Sequence, residues 1–384
     1  MISAEPSIDP ALMADGASPK IVRTVQHIPE LDGLRGLLAW WVVLSHVLFL
    51  CGYNPGNLPR GVRILTYGSY AVYGFVILSG FVIFKLLAES KESYRVFITR
   101  RFFRLYPVYL VCLGGALILR FLLWSNMATP HYLIQQGIPD LSSESSRLFP
   151  HVLAHLTMLH ALVPESLLAK SAIALFGPAW SISLEWQFYL VAPLFFAAVS
   201  RLRSWGLFLL AFLVCALSLL PDGSTTGILY YYSIPFGIGI ISFYVFGVLP
   251  RGKFADVLAG GVTPLVLILT LNIPLAIWCW TLSAALADDG CQLAKIPKRL
   301  LNSRWVKCWG RLSYGIYLGH MCCVWTLQIG IHKLWPDISE NQLLPLLLPS
   351  TLILTFITSL GLARYIETPG IRLGRRLAES MQSK

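Results

Sequence analysis

Charge is scarce in this chain, and negative charge scarcest. Only 13% of its 384 residues are Asp, Glu, Lys or Arg, with 19 acids against 30 basic residues; an ordinary soluble domain carries about 25%. With 56% hydrophobic residues and a mean hydropathy of +0.66, this excludes a soluble globular domain and reads as an integral membrane protein. The net charge of +11 is therefore assigned to cytoplasmic loops, and no nucleic-acid partner is expected. No Cys-x-x-Cys pair occurs among the eight cysteines, and most sit in apolar runs, where cysteine acts as a small hydrophobe. Neither a disulfide framework nor a metal centre is expected. The first 30 residues hold no continuous apolar stretch, so no cleavable signal is visible and the first span is expected to target itself.

What is present is a series of apolar runs long enough to cross a bilayer. They fall near 34–52, 69–88, 102–124, 184–200, 204–220, 226–249, 255–271, 273–288, 312–332 and 343–364. Ten spans predict an all-α polytopic fold with both termini on one side. If that side is cytoplasmic, 24 of the 30 Lys and Arg residues lie inside and six outside. An odd number of spans would scramble this asymmetry, so both termini are expected to be cytoplasmic. The chain divides into a polar tail at 1–26, a transmembrane domain at 27–370 and a basic tail at 371–384. The longest connection, about 125–183, lies outside. Its apolar patch at 148–162 is too short and polar to span, and reads as an interfacial or re-entrant helix.

Arg35 and His46 stand eleven positions apart on the first predicted span. Eleven steps of about 100° place both on one face, roughly 16 Å apart along the axis. Ionisable groups in a membrane are costly and usually functional, and an imidazole titrating near neutrality suits a general base. Asp32 can pair with Arg35 across one turn, while Gly33 and Gly36 let another segment or a ligand approach the backbone. Arg101 and Arg104, three apart at the inner end of the third span, suit phosphate recognition. Tyr106 and the kinking Pro107 follow them.

Trp180, Ser181, Ser183, Glu185 and Tyr189 cluster at the start of the fourth span. Trp180 has an ordinary role as an interfacial aromatic, and the two serines as helix caps. Glu185, just inside a span, needs a partner, and its depth matches that of His46, which it is expected to orient or charge-pair. Ser313, Tyr314, Tyr317 and His320 open the ninth span; Ser313, Tyr317 and His320 share one face, with Gly315 and Gly319 favouring close helix packing. A structural hydrogen-bond role is the first expectation for that group. Ser79 and Gly80 supply small residues for helix contacts. Arg364 and Glu367, at the end of the last span, invite an inner salt bridge. His151, His155 and His160 suggest a metal, but no zinc-peptidase glutamate follows His151 and no carboxylate lies close by in sequence, so none is expected.

Taken together, Leu31 to Gly36, the Arg35–His46 spacing, Ser79-Gly80-Phe81, Arg101 to Pro107, Trp180 to Glu185 and Ser313 to His320 resemble the acyltransferase family 3 of integral-membrane O-acyltransferases. The likeness runs from about 27 to 370, in consistent order. It implies a ten-span bundle in a cell inner membrane that takes an acyl group, usually acetyl, from cytoplasmic acyl-CoA as co-substrate, with no permanently bound cofactor. The acceptor it implies is a hydroxyl of a sugar-containing molecule, a glycan or glycolipid. His46 corresponds to the family's essential histidine, Arg35 to its paired arginine, and Arg101 and Arg104 to its Arg-x-x-Arg motif. Some members carry an esterase-like extension after the spans; this chain reads as the stand-alone type.

The expected machinery is thus His46, Arg35, Glu185 and Asp32 for catalysis, and Arg35, Arg101, Arg104 and Tyr106 for acyl-CoA. Trp180, Ser181, Ser183, Tyr189, Ser313, Tyr314, Tyr317 and His320 are expected to line an acceptor site or pocket. A proton-coupled transporter or flippase of a glycan, with His46, Glu185 and His320 as a relay, is the competing class. No inverted repeat of interrupted helices supports it.

Overall fold

A computed structural model describes residues 27–90, 92–126, 147–201, 206 and 227–382, and every regular element among them is helical. The long helices are α1 (Pro29–Leu50), α2 (Gly68–Glu89), α3 (Tyr94–Asn126), α5 (Ala179–Arg201), α6 (Ser233–Phe246), α11 (Arg304–Leu334) and α12 (Glu340–Leu362). Shorter ones are α4 (Leu148–Leu156), α7 (Lys253–Val257), α8 (Thr263–Thr270), α9 (Ile273–Leu286), α10 (Lys295–Leu301) and α13 (Thr368–Gln382). Wide π-type turns at Leu258–Val262 and Ala363–Glu367 join α7 to α8 and α12 to α13.

Among the described residues, seven helices are long and apolar enough to cross a bilayer. Nine of the ten predicted spans coincide with helical segments, and the tenth, 204–220, lies outside the described residues apart from Gly206. Two of the nine are weaker candidates for physical reasons. α9 has only 14 residues. α11 has 31, but turns Ser313, Tyr317, His320 and Gln328 inward, and these polar residues dilute its hydropathy.

Lipid tails are as apolar as leucine, so helices here associate through close approach and polar contacts rather than by hiding oily surface. Glycine sets the two tightest seams. α1 and α11 run parallel with backbones touching: a Cβ at Gly36 would stand 2.6 Å from the Gly310 nitrogen, and one at Gly310 would strike the Asp32 carbonyl. Gly80 of α2 and Gly239 of α6 do the same, packing on the carbonyls of Phe236 and Ile77. Pro107 leaves the Phe103 carbonyl without its helical donor, and Gly370 seats its backbone over that notch. From there α13 runs antiparallel to α3, burying Gly370, Gly374 and Ala378. The stretch expected as a basic tail is therefore helical as far as Gln382.

The 148–162 segment packs against the bundle more closely than its sequence discloses. Tyr106 and Tyr109 donate hydroxyl hydrogen bonds to the carbonyls of Leu156 and His155, both at 3.0 Å. α3 continues for 17 residues beyond Tyr109, roughly 25 Å of helix, so the 148–162 segment meets α3 near its middle. Its polarity is turned inside out: His151, His155 and His160 are buried, while Phe149 and Leu153 are exposed. The segment is thus docked on the helical bundle through its polar face.

Candidate functional site

α1, α2, α3, α5 and α11, with Phe236 of α6, enclose a chamber of about 290 Å³. α1 begins with Pro29, which has no N–H to leave unsatisfied at a helix start, and with Glu30 and Asp32 in its first turn. Glu30 is held by the Asn302 side-chain amide at 2.7 Å. Asp32 stands between His27 at 2.9 Å and Arg35 at 3.7 Å. The i, i+3 pair read from the sequence is thus formed, at one end of the chamber near Lys85 of α2.

Further in, α3 brings Arg101 and Arg104 onto the chamber wall beside Arg35. Among the described residues no carboxylate lies within 4.0 Å of Arg101 or Arg104. Arg101 lies 5.9 Å from the Phe97 and Tyr189 ring centres, and its Nε is buried without a hydrogen-bond partner. Glu185 and Glu367 act on these guanidinium groups only through space. Half-buried guanidinium groups without paired carboxylates suit an anion. Glu367, reached by the wide turn at the end of α12, faces Arg104 and Arg35 rather than the exposed Arg364. The expected Arg364–Glu367 bridge is absent among the described pairs.

The far end is closed by aromatic and hydroxyl groups. Ser181 donates to the Pro178 carbonyl at 3.0 Å, which turns the Tyr317 hydroxyl into the donor of their mutual 2.7 Å hydrogen bond. Phe75 packs edge-on to Tyr317 with centroids 5.6 Å apart. Tyr314, on the same wall, donates to the Leu105 carbonyl at 2.7 Å.

Beyond this layer lies His46. It is half-buried and lines no part of the chamber. Its Nδ1 sits 3.0 Å from the Val42 carbonyl and 3.3 Å from Nε2 of His320, itself fully buried. The expected Glu185–His46 pairing is not formed. Glu185 instead accepts from Tyr189 and faces the arginines of the chamber. Similar depth on two helices does not imply contact, and these two side chains lie on opposite sides of the Tyr317 layer.

Of the other expected residues, Arg35, Asp32, Arg101, Arg104, Ser181, Tyr189, Ser313, Tyr314 and Tyr317 line the chamber, whereas Tyr106, Trp180, Ser183 and His320 do not. Tyr106 is about 200° around α3 from Arg104, which aims it at the 148–162 segment. Ser183 accepts from the Ala161 amide at 3.3 Å and pins that same segment. Trp180 packs on Tyr232 instead. His27, Phe75 and Lys85 also line the chamber, and nothing in their sequence context marks them out: Lys85 carries only the signal of a loop cation. His155 and His160 stack in parallel with ring centres 4.0 Å apart, a geometry in which their nitrogens cannot converge on one ion. Among the described residues no group of three metal-ligating side chains comes together.

A model of the acyltransferase domain family matches residues 28–364. The chain is 32% identical over 189 residues to "Acyltransferase MdmB" of Streptomyces mycarofaciens, covering 48% of this chain and 42% of that protein. It is 30% identical over 159 residues to "Protein 2 in picA locus" of Rhizobium radiobacter, covering 40% of this chain and 75% of that one. The chain thus spans less than half the length of the first of these relatives. No solved structure matches.

Proposed function

The chain belongs to the acyltransferase domain family, and from that membership we propose that it is a membrane O-acyltransferase moving an acyl group, acetyl in the simplest case, from cytoplasmic acyl-CoA to a hydroxyl of a sugar-containing acceptor. The observation that carries this reading is the unpaired arginine cluster. Arg35, Arg101 and Arg104 line one chamber, and the latter two have no carboxylate within 4.0 Å among the described residues. Guanidinium forks bind phosphate oxygens in pairs, and a phosphate-rich donor cannot enter hydrocarbon unless its charge is met. With ten spans and both termini inside, the chamber faces the cytoplasm of an inner membrane, where acyl-CoA is supplied. His46 lies further out, on the acceptor side.

In this mechanism the phosphates rest on Arg101 and Arg104, and the thioester arm points towards Tyr317 and Phe75. The acceptor oxygen attacks the thioester carbonyl while its proton passes to His46 Nε2. The C–S bond then breaks, and the CoA thiolate leaves with that proton. The acyl group must pass the Tyr317 ring to meet the acceptor, so this layer keeps water from the thioester until both substrates are bound.

Purified protein given radiolabelled acetyl-CoA and a glycan acceptor should release free CoA and label the acceptor. Arg104→Ala should raise the KM for acyl-CoA about 10–100-fold, as expected for loss of a charge-assisted bidentate contact worth roughly 1.5–3 kcal/mol. It should also flatten the salt dependence of binding. An unchanged KM would make Arg104 a structural residue. Glycan movement across vesicles without CoA release would instead identify a transporter.

A further inference from the structure

We propose that His320 is the positioning residue that sets the tautomer of His46, leaving Nε2 of His46 as the base. This rests on the acyl-transfer reading above, but the atoms that carry it lie outside the acyl-CoA chamber. His320 Nδ1 is 2.6 Å from the Tyr317 carbonyl oxygen. A carbonyl only accepts, so this nitrogen carries the hydrogen. In a neutral ring the other nitrogen then holds a lone pair, and that nitrogen, Nε2, faces His46 Nδ1 at 3.3 Å.

His46 Nδ1 therefore has two acceptors before it, the Val42 carbonyl at 3.0 Å and the His320 ring nitrogen. It must be the protonated nitrogen, sharing one N–H between both. Nε2 of His46 is left as the lone pair that can take a proton. Among the described residues no carboxylate lies within 4.0 Å of either ring. The role commonly given to an aspartate beside a catalytic histidine falls here to a second imidazole. The substitution has a physical reason: His320 is fully buried, and a neutral acceptor orients its partner without placing a lone anion in a water-poor site.

The helices make this pairing possible. α1 and α11 run parallel and locked at Gly36 and Gly310. Ten residues further along each helix, at 46 and 320, the rings meet with centroids 5.0 Å apart. When the acceptor hydroxyl gives its proton to Nε2, the new imidazolium is steadied by the same two acceptors at Nδ1. Its proton leaves with the thiolate, and the starting tautomer is restored without a net change in His320.

The first test needs no variant. Nitrogen-15 NMR of histidine-labelled protein in lipid nanodiscs, with the His46 signals identified by their loss in His46→Gln, should show His46 protonated on Nδ1 and bare on Nε2. The opposite tautomer would overturn the proposal whether or not the protein transfers acyl groups. The second test is kinetic. His320→Leu should lower kcat about 10²–10³-fold, the scale of losing a correctly presented base, with the KM for acyl-CoA changed less than about twofold because the chamber is untouched. His320→Gln, which can offer an amide oxygen near the former Nε2, should recover at least about tenfold of that loss. Equal loss in the Gln and Leu variants, or a Leu variant within a few-fold of the parent, would sink the positioning role. Activity surviving in His46→Gln would instead remove the base assignment, a failure of the functional reading that the NMR result separates from this one.

Discussion

Replacing His46 with alanine should lower acyl transfer by about 10²–10⁴-fold while acyl-CoA still binds. The size follows from the chemistry. An alcohol is a poor nucleophile until its proton is taken, and a positioned general base supplies about 10²–10⁴ of rate. The selectivity follows from the structure, because His46 lines no part of the arginine chamber and pairs instead with His320. Misfolding is a weak explanation for such a loss, since the ring is only half-buried and its side-chain partners are Val42 and His320. The decisive comparison sets isothermal binding of acyl-CoA beside CoA release in the same preparation. Unaltered turnover in His46→Ala would refute the base; lost binding together with lost turnover would place His46 in the donor site.

Substitution at Gly310 should give the largest loss of stability. Its missing Cβ makes room for the Asp32 backbone, just as Gly36 makes room for Trp309 and Gly310. A methyl group there has no side chain to displace, only the main chain of a neighbouring helix. Overpacking of this kind costs about 1–3 kcal/mol, and Gly310→Val should exceed Gly310→Ala because β-branching adds bulk at the contact. The effect should reach function, since prising α1 from α11 moves Asp32 and Arg35 relative to Ser313 and Tyr314 across the chamber. Gly361→Ala is the control: a Cβ there meets nothing within 4 Å, and alanine is the better helix former by about 1 kcal/mol. Thermal unfolding in one detergent should rank Gly361→Ala at or above the parent, Gly310→Ala below both, and Gly310→Val lowest. A Gly310→Ala protein as stable as the parent would mean that the seam is looser than its geometry.

Arg104 and Glu185 differ in how far helical geometry along one chain segment fixes their surroundings. Arg101 and Arg104 are three residues apart on one helix, so their shared face follows from helical geometry alone, and both line the chamber. The proximity of Glu185 to His46 was an inference across two helices from similar depth. Depth along the bilayer normal leaves rotation about each helix axis undetermined, and Glu185 turned towards the arginines instead. Tyr106 and Ser183 departed for a related reason. Both serve the 148–162 segment, whose docking on the middle of α3 leaves no periodic mark on a patch only fifteen residues long.

The amino-acid order by itself determined that this chain lives in a bilayer, where most of its helices run, which of its polar residues are too costly to be idle, and which family it resembles. Those are sums over neighbours along the chain, and hydropathy, charge asymmetry and helical spacing record them directly. Only the tertiary structure decided that His46 meets His320, that Glu185 meets Tyr189, and that a Tyr317 layer parts the arginines from the imidazoles. Such contacts depend on how glycine seams fix the rotation and register of one helix against another, and no local pattern encodes that.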